Sequence, residues 1–541
     1  MARRVMILGL DGASWRVLRP AIQQGHMPFL ESLAQTGSSG VLESTIPPVT
    51  PAAWSSFQTG KNPGKTGVYD FERWNRQTRS LEFVSAQSIG PTLWDHLARA
   101  GKRVAVINVP MTYPARPVSG VLITGLLTPN LNSSFIYPPE LRGPLLEQVP
   151  DYHIFNLKNA SRTGSPRHVR RLVTRLQEII ESRVRAAMFV FQQDRADVAM
   201  VHFQATDVLQ HALWHALSSD HPLCDSAVCE YLYSAFYGFL DARLRRVWEG
   251  FRKGGTGDLL TLVVSDHGFQ SHRKRVRLGN WLVQKGYLSI QSERGPMPWL
   301  RTRLRRLGAP ALLTFFDRTS VGRKLDRFRH QPTFRVDFDG SRVFSFGRGS
   351  DGYIFFLEED PIARQSTQER LRKDLTELTD PQTQTLVVQE ICLRENIYSG
   401  LRVDGLPDWI LRPAEGYTFT GNYEPGVRGL FNRIRPGRDF HAGMHHPEGV
   451  LIASGPGVWP GRIEGARLWD VAPTVLAWLG LPVPDDMDGV VLQNLFTEPL
   501  AVRTVGADAP PASADSSSVT TYAPSDVRDI EQRLRDLGYI E

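Results

Sequence analysis

The sequence predicts an α/β protein with a mostly parallel central sheet and helices on both faces. Short aliphatic runs, each ending in a polar or glycine-containing turn, alternate along the chain with longer segments of helical periodicity. The runs are apolar at nearly every position rather than at every second one, the mark of strands buried on both faces. Acidic residues and histidines follow several of these runs directly, where open parallel sheets bind their ligands.

In chain order, the run Val5–Leu10 precedes a helical segment at Val17–Gln35, and the segment Leu93–Ala100 precedes the run Arg103–Val109. The helical pattern His168–Gln192 leads into Val198–Phe203, and Ala227–Trp248 leads into Leu259–Ser265. From Arg273 to Asp339 the rhythm breaks. This stretch carries Trp299 and the basic run Arg323–Arg329, and reads as the solvated face of an inserted helical cap. Phe334–Arg428 is mixed, with a strand predicted at Gly352–Leu357. The core pattern returns with the strand Val450–Ser454 and the helix Leu468–Leu479. Glu498–Ala523, rich in Pro, Ala, Ser and Thr, has the composition of a linker. A short amphipathic helix, Ser525–Leu537, follows, with Ser525 as its N-cap.

The composition bounds the function. With 541 residues, 41% hydrophobic and 22% charged, the chain is long enough for a sizeable core and does not resemble a disordered one. No window approaches the roughly 20 apolar residues of a membrane span, and Val5–Leu10 is too short for a signal-peptide core. The expected location is the cytoplasm. A net charge of +7 suits small anionic substrates such as phosphate esters and is too mild to imply nucleic acid. Cys224, Cys229 and Cys392 have neither disulfide-framework nor metal-site spacing. The oligomeric state is not legible.

Four places supply metal-ligand chemistry. Asp11 follows the first strand in Leu-Gly-Leu-Asp-Gly, and Asp266-His267-Gly268 follows Leu259–Ser265, with Gly268 expected to break the strand so that both side chains meet one ion. Asp207 and His211 stand four residues apart, on one face of a helical turn, with His215 one turn further on as a competitor. His445, with His446 beside it and His441 nearby, precedes Val450–Ser454. Each alone is more simply a turn, a cap or a surface histidine. Together they offer three Asp and three His, ligand types that zinc accepts and that also suit manganese, enough for two ions of three protein ligands each. Thr50-Pro51 opens a helix whose free amides and positive end would face a phosphate, and a threonine hydroxyl held by a divalent cation becomes a nucleophile. Taken by itself, Thr50 reads as an N-cap.

In order and spacing these elements resemble the alkaline phosphatase superfamily, and within it the type I phosphodiesterase/nucleotide pyrophosphatase family. The resemblance rests on Asp11, the Thr50 segment running into Thr59–Gly67, Asp207-x-x-x-His211, Ser265-Asp-His-Gly268, Gly443–Gly449 and Trp469–Gly489, and spans Val5 to Phe496. It implies an alkaline-phosphatase-like metallohydrolase core at 1–272 and 429–497, a substrate-specificity region at 273–428, a linker at 498–523 and a terminal helix at 524–541. It also implies one divalent cation, zinc by preference, on Asp207, His211 and His445, and another on Asp11, Asp266 and His267 with Thr50 as nucleophilic ligand. The family's Gly-x-His-x-Pro-x-Gly pattern selects His445 and leaves His446 either to support the ligands or to face the substrate. The implied reaction is hydrolysis of a small, possibly nucleotide-like phosphoester through a phosphothreonine intermediate. Thr50-Pro-Ala-Ala-Trp lacks the Asn that better-known members carry after the nucleophile. A phosphomonoesterase or phosphonate hydrolase on the same core is the alternative, and a non-catalytic metal-binding interaction protein is a third reading. Lys61 and Lys65 are candidates to attract phosphate, although exposed lysines most often only solubilise.

Overall fold

The structure is a computed structural model. It describes residues 2–154, 164–218, 221, 223–292, 334–427, 429–439, 441–506, 522–537 and 539. Trp299, the basic run 323–329 and most of the linker lie outside the described residues. The chain forms two compact units, one of Met1–Arg273, Cys392–Ile410 and Ile434–Glu541, the other of Lys274–Ile391 and Leu411–Arg433.

The first unit is built on a nine-stranded sheet. Its strands are β1 (Arg3–Leu10), β2 (Ser38–Glu43), β3 (Val104–Val109), β4 (Gly120–Thr124), β5 (Ile136–Tyr137), β6 (Val198–Phe203), β7 (Asp258–Val264), β8 (Glu448–Ser454) and β9 (Gly461–Arg467). Their spatial order is β9-β2-β8-β7-β1-β6-β3-β4-β5. The run β7-β1-β6-β3-β4 is parallel throughout, as is the β2–β9 pair. The pairs β2–β8, β8–β7 and β4–β5 are antiparallel. The predicted α/β class with a mostly parallel sheet holds, and antiparallel strands flank the parallel centre.

Both faces of the sheet are covered, as β1 shows. Met6, Leu8 and Leu10 pack into one hydrophobic cluster, Val5 and Ile7 into another on the opposite face. The first cluster takes the helices Pro166–Gln193 and Phe239–Lys253, the second takes Leu93–Arg99 and Val471–Trp478. Each of these strand side chains is fully buried, a gain of about 1.5–3 kcal/mol apiece.

Some elements differ from expectation. Val17–Gln35 is two helices, Trp15–Gln23 and Pro28–Thr36, because Gly25 at φ +79° turns the chain between them. The C-terminal helix runs from Pro524 to Asp536 with Ala523, not Ser525, at the cap position, since proline suits the first helical residue.

In the second unit, Arg348–Gly349, Tyr417–Thr420, Lys274–Arg277 and Phe431–Arg433 form a four-stranded sheet in that order. The predicted strand at 352–357 is Gly352–Phe356, and the helix Pro361–Thr376 is capped by Asp360.

Candidate metal centre

The site sits where three neighbouring parallel strands end together. In register, Leu10 of β1 lies beside Phe203 of β6, and Gly9 beside Val264 of β7. The residues that follow are therefore delivered to one place: Asp11 after β1, Asp266 and His267 after β7, and Asp207 from the helix α1 (Ala205–Leu217) that opens just beyond β6. Gly12 makes the convergence possible. Its φ is +65°, a Cβ there would stand 2.5 Å from the Phe269 ring, and its amide donates to Asp266 Oδ1 at 3.0 Å.

Two buried clusters result, Asp207 with His211 and His445, and Asp11 with Asp266 and His267. In the first, His211 Nε2 lies 3.0 Å from His445 Nε2, and each nitrogen lies 3.4 Å from Asp207 Oδ1. In the second, His267 Nε2 is 3.3 Å from Asp266 Oδ2 and 3.9 Å from Asp11 Oδ1.

The three carboxylates share one pattern, a tethered oxygen and an orphaned one. Asp11 Oδ2 accepts from Trp54 Nε1 at 3.1 Å and from His202 Nε2 at 2.9 Å, Asp266 Oδ1 from the Gly12 amide, and Asp207 Oδ2 from the Tyr539 hydroxyl. Asp11 Oδ1, Asp266 Oδ2 and Asp207 Oδ1 are buried without a hydrogen-bond partner. A buried anionic oxygen left so is costly unless a cation meets it. The imidazoles complete the set. Nδ1 of His211, His445 and His267 each lies within 3.1 Å of a backbone carbonyl, of Gly443, Pro48 and Gly268 respectively. A carbonyl only accepts, so each Nδ1 carries the proton and each Nε2 presents a lone pair, the tautomer a metal takes. Four ligand atoms about 2 Å from a tetrahedral zinc lie about 3.3 Å apart, and the spacing in the first cluster matches that figure. The residues fit a pair of divalent cations.

The electrostatics agree. Burial, then the neighbouring Asp207 charge, pushes the Asp11 carboxyl well above the carboxylate range, and burial together with Asp11 does the same to Asp266. Burial would raise Asp207 too, but His211 and His445 overcome it and hold that carboxyl well below the usual range. Burial pushes the His267 imidazole well down, toward the neutral form.

The Thr50 hydroxyl stands beside the second cluster, 3.5 Å from His267 Nε2. It is the first residue of the wholly buried helix Thr50–Thr59, whose cap position is Val49, so the hydroxyl is not spent on capping as the sequence alone suggested. The same helix holds both clusters, through Trp54 on Asp11 and through the preceding Pro48 carbonyl on His445.

The structure also separates the competing histidines. His215 lies outside both clusters, edge-on to His221, with burial lowering its pKa to about 4. His446 accepts from the Glu448 amide through Nδ1 at 3.3 Å, and His441 packs edge-on against His211 with ring centroids 4.7 Å apart. The strand does break between Val264 and Gly268, bringing Asp266 and His267 to one cluster, but without a left-handed φ at Gly268. Glycine is needed because a Cβ would stand 2.1 Å from the Glu448 carbonyl, where Gly268–Ser271 pairs with Gly443–His446. Lys61 and Lys65 are not exposed phosphate attractors, since they pair with Asp486 and Asp488. Sequence reasoning missed the supports Trp54, His202 and Tyr539. Trp54 could have been found, four residues after Thr50 on the same helical face, but nothing local marks the other two.

The sequence profile described as "Type I phosphodiesterase / nucleotide pyrophosphatase" matches residues 5–448. The chain belongs to this family. The protein is thus a phosphoester hydrolase of phosphodiesterase/pyrophosphatase type, with two Asp/His clusters that could hold metal. Among solved structures, the fold is that of phosphonoacetate hydrolase from Sinorhizobium meliloti 1021 in complex with phosphonoformate, at 14% identity and a TM-score of 0.52 over 87% of this chain and 94% of that one. The same hydrolase with phosphonoacetate matches over the same shares at 14% identity and a TM-score of 0.49. At this identity the first of these likenesses shows a shared fold and nothing further. No curated protein sequence matches it.

Proposed function

We propose that the protein hydrolyses small phosphodiesters through a phosphothreonine intermediate on Thr50, with one divalent cation on Asp207, His211 and His445 and another on Asp11, Asp266 and His267. Zinc is the preferred ion and manganese the second. The observation that carries the reading is the Thr50 hydroxyl, buried at a helix start and 3.5 Å from His267, next to carboxylate oxygens that have no other partner.

When bound, the cations lower the pKa of the threonine hydroxyl and neutralise charge on the phosphoryl oxygens. The chain's own groups do the rest. Thr50 Oγ1 attacks phosphorus, and its bond to phosphorus forms as the bond to the leaving alkoxide breaks on the opposite side. Helix Thr50–Thr59 directs its first-turn amides and the positive end of its dipole at the phosphoryl oxygens, a role the missing Asn would otherwise share. Trp54, His202 and the Gly12 amide hold the carboxylates in place, so alignment costs no reorganisation during reaction. Water then attacks the phosphothreonine, releasing phosphate monoester and restoring the hydroxyl.

The test is turnover of bis-p-nitrophenyl phosphate, followed by acid quench and mass spectrometry of the peptide containing Thr50. A p-nitrophenyl phosphoryl adduct on Thr50 supports the reading. Turnover without it, or turnover insensitive to chelator, overturns it. Pocket contacts decide among diesters, monoesters and phosphonates on such a core. A run with p-nitrophenyl phosphate and phosphonoacetate beside the diester separates them, and a preference for either would replace the diester assignment. Three cysteines without disulfide-framework spacing fit a reducing compartment, and we place the protein in the cytoplasm on that ground. Among the described residues no helix is long and apolar enough to cross a membrane.

A further inference from the structure

The family match ends at residue 448, yet a hydroxyl from residue 539 reaches a cluster ligand. Tyr539 donates to Asp207 Oδ2, while Asp207 Oδ1, without a hydrogen-bond partner, faces the Nε2 atoms of His211 and His445 at 3.4 Å each. The Tyr539 ring stacks on Phe71 with centroids 5.1 Å apart and stands edge-on to His211 at 5.9 Å.

This contact is delivered by a well-anchored segment. In the helix Pro524–Asp536 and just beyond it, Ile530, Leu534 and Leu537 are fully buried against the main core cluster. The Arg533 guanidinium donates to the carbonyls of Thr128 and Pro129, and Asn130 donates to Asp529 at 2.9 Å. At the other end of the segment Tyr522 stacks on Tyr113, 5.7 Å between centroids and 9° between planes.

A carboxylate free to rotate offers a cation either oxygen, or both. A donor fixed on Oδ2 removes that freedom and leaves Oδ1 as the single oxygen aimed between the two imidazoles. Hydrogen-bond partners of metal ligands act in this way, typically changing metal affinity about 10- to 100-fold when removed.

We infer that Tyr539 is a positioning residue for Asp207: its hydroxyl, held near the anchored stretch 522–537, fixes the carboxylate and sets the divalent-cation affinity of the Asp207–His211–His445 cluster. The inference rests on the proposed reading of that cluster as a cation site. It assigns to the C-terminal segment a share in the metal centre, beyond the tether and helix its composition suggests.

The test uses the full chain, stripped with chelator and titrated with zinc against a chromophoric competitor, and in parallel with cobalt while the visible d–d bands are read. The proteins are wild type, Tyr539→Phe, Tyr539→Ala and Asp207→Ala. Tyr539→Phe keeps the ring on Phe71 and loses only the hydroxyl. Two zinc ions in wild type, with one of them bound 10- to 100-fold more weakly in Tyr539→Phe, and an altered cobalt spectrum, is the expected result. Affinity and spectrum in Tyr539→Phe equal to wild type, with only Tyr539→Ala impaired, would make the residue a packing element and overturn the inference while leaving the cation site standing. Wild type that binds no zinc, or Asp207→Ala that still binds two, would overturn the cation reading itself and the inference with it.

Discussion

His211 Nε2 and His445 Nε2 face each other across 3.0 Å, each with its Nδ1 already engaged by a backbone carbonyl. In the neutral tautomer with Nδ1 protonated, each ring turns an Nε2 lone pair toward the same point, where a cation would be ligated by both. Chelation of the purified protein is expected to abolish turnover and lower the melting temperature of the first unit. Restoring zinc at a hundredfold excess over Kd should return about 2.7 kcal/mol of stability per site. Differential scanning calorimetry with and without metal checks it, and an unchanged melting curve would count against the site.

Thr50→Ala removes the proposed attacking oxygen and leaves the six candidate metal ligands in place. Turnover of the diester should fall by at least about 10³-fold. Zinc stoichiometry should stay at two, and Thr50→Ser should recover a measurable fraction of the rate. Steady-state kinetics and metal analysis on the same preparations read both quantities.

The pH dependence follows from the carboxylates. Asp11 and Asp266 titrate well above their ordinary range when folded. In the metal-free protein their contribution is therefore fully present below about pH 4, where the unfolded chain also holds these protons, and is lost as pH rises through the elevated values. Asp207 has the opposite sign, with a contribution lost only as pH falls through its depressed value. The metal-free protein should thus weaken from mildly acidic toward neutral pH, while the zinc-loaded protein should not. Melting temperatures across that range, with chelator and with zinc, should diverge as pH rises, and zinc binding should release protons, measurable by calorimetry in buffers of different ionisation enthalpy.

Gly12→Ala would place a Cβ 2.5 Å from the Phe269 ring at a backbone φ of +65°. A loss of about 1–3 kcal/mol from the backbone conformation alone is expected, with further loss from the clash. The Gly12 amide holds Asp266, so zinc affinity should fall as well. Urea denaturation and zinc titration measure the two effects. A variant as stable as wild type would show that the turn relaxes without consequence.

The sequence displayed the centre of this fold and hid its edges. β1, β3, β6 and β7 are buried along most of their length and read as aliphatic runs. β2, Ser-Ser-Gly-Val-Leu-Glu, buries every second residue, and β9, Gly-Arg-Ile-Glu-Gly-Ala-Arg, buries only Ile463 and Ala466. With one side or most of the strand in solvent, no apolar run marks them. The site divides in the same way. Asp11, Asp266 and His267 were visible because they follow visible strands, and Asp207 with His211 because four residues make a helical turn. His211 was not separable from His215 on spacing, since both lie one turn from a neighbouring candidate. That choice depends on where β8 and the Gly443–His446 strand bring His445, a tertiary fact. Tyr539 lies 332 residues from its partner Asp207, and no local pattern encodes such a contact.

The short ladder of Gly268–Ser271 against Gly443–His446 begins one residue after His267 and carries His445 within it, and those two imidazoles stack with centroids 3.6 Å apart. The chain between these two strands leaves from one candidate ligand and returns at another, touching back on the first unit through Cys392–Ile410. The entropy of closing such a detour grows only logarithmically, about 0.6 kcal/mol for each doubling of its length. Added length at an exposed turn of the second unit should accordingly cost little closure entropy and leave the two histidines of the ladder in place.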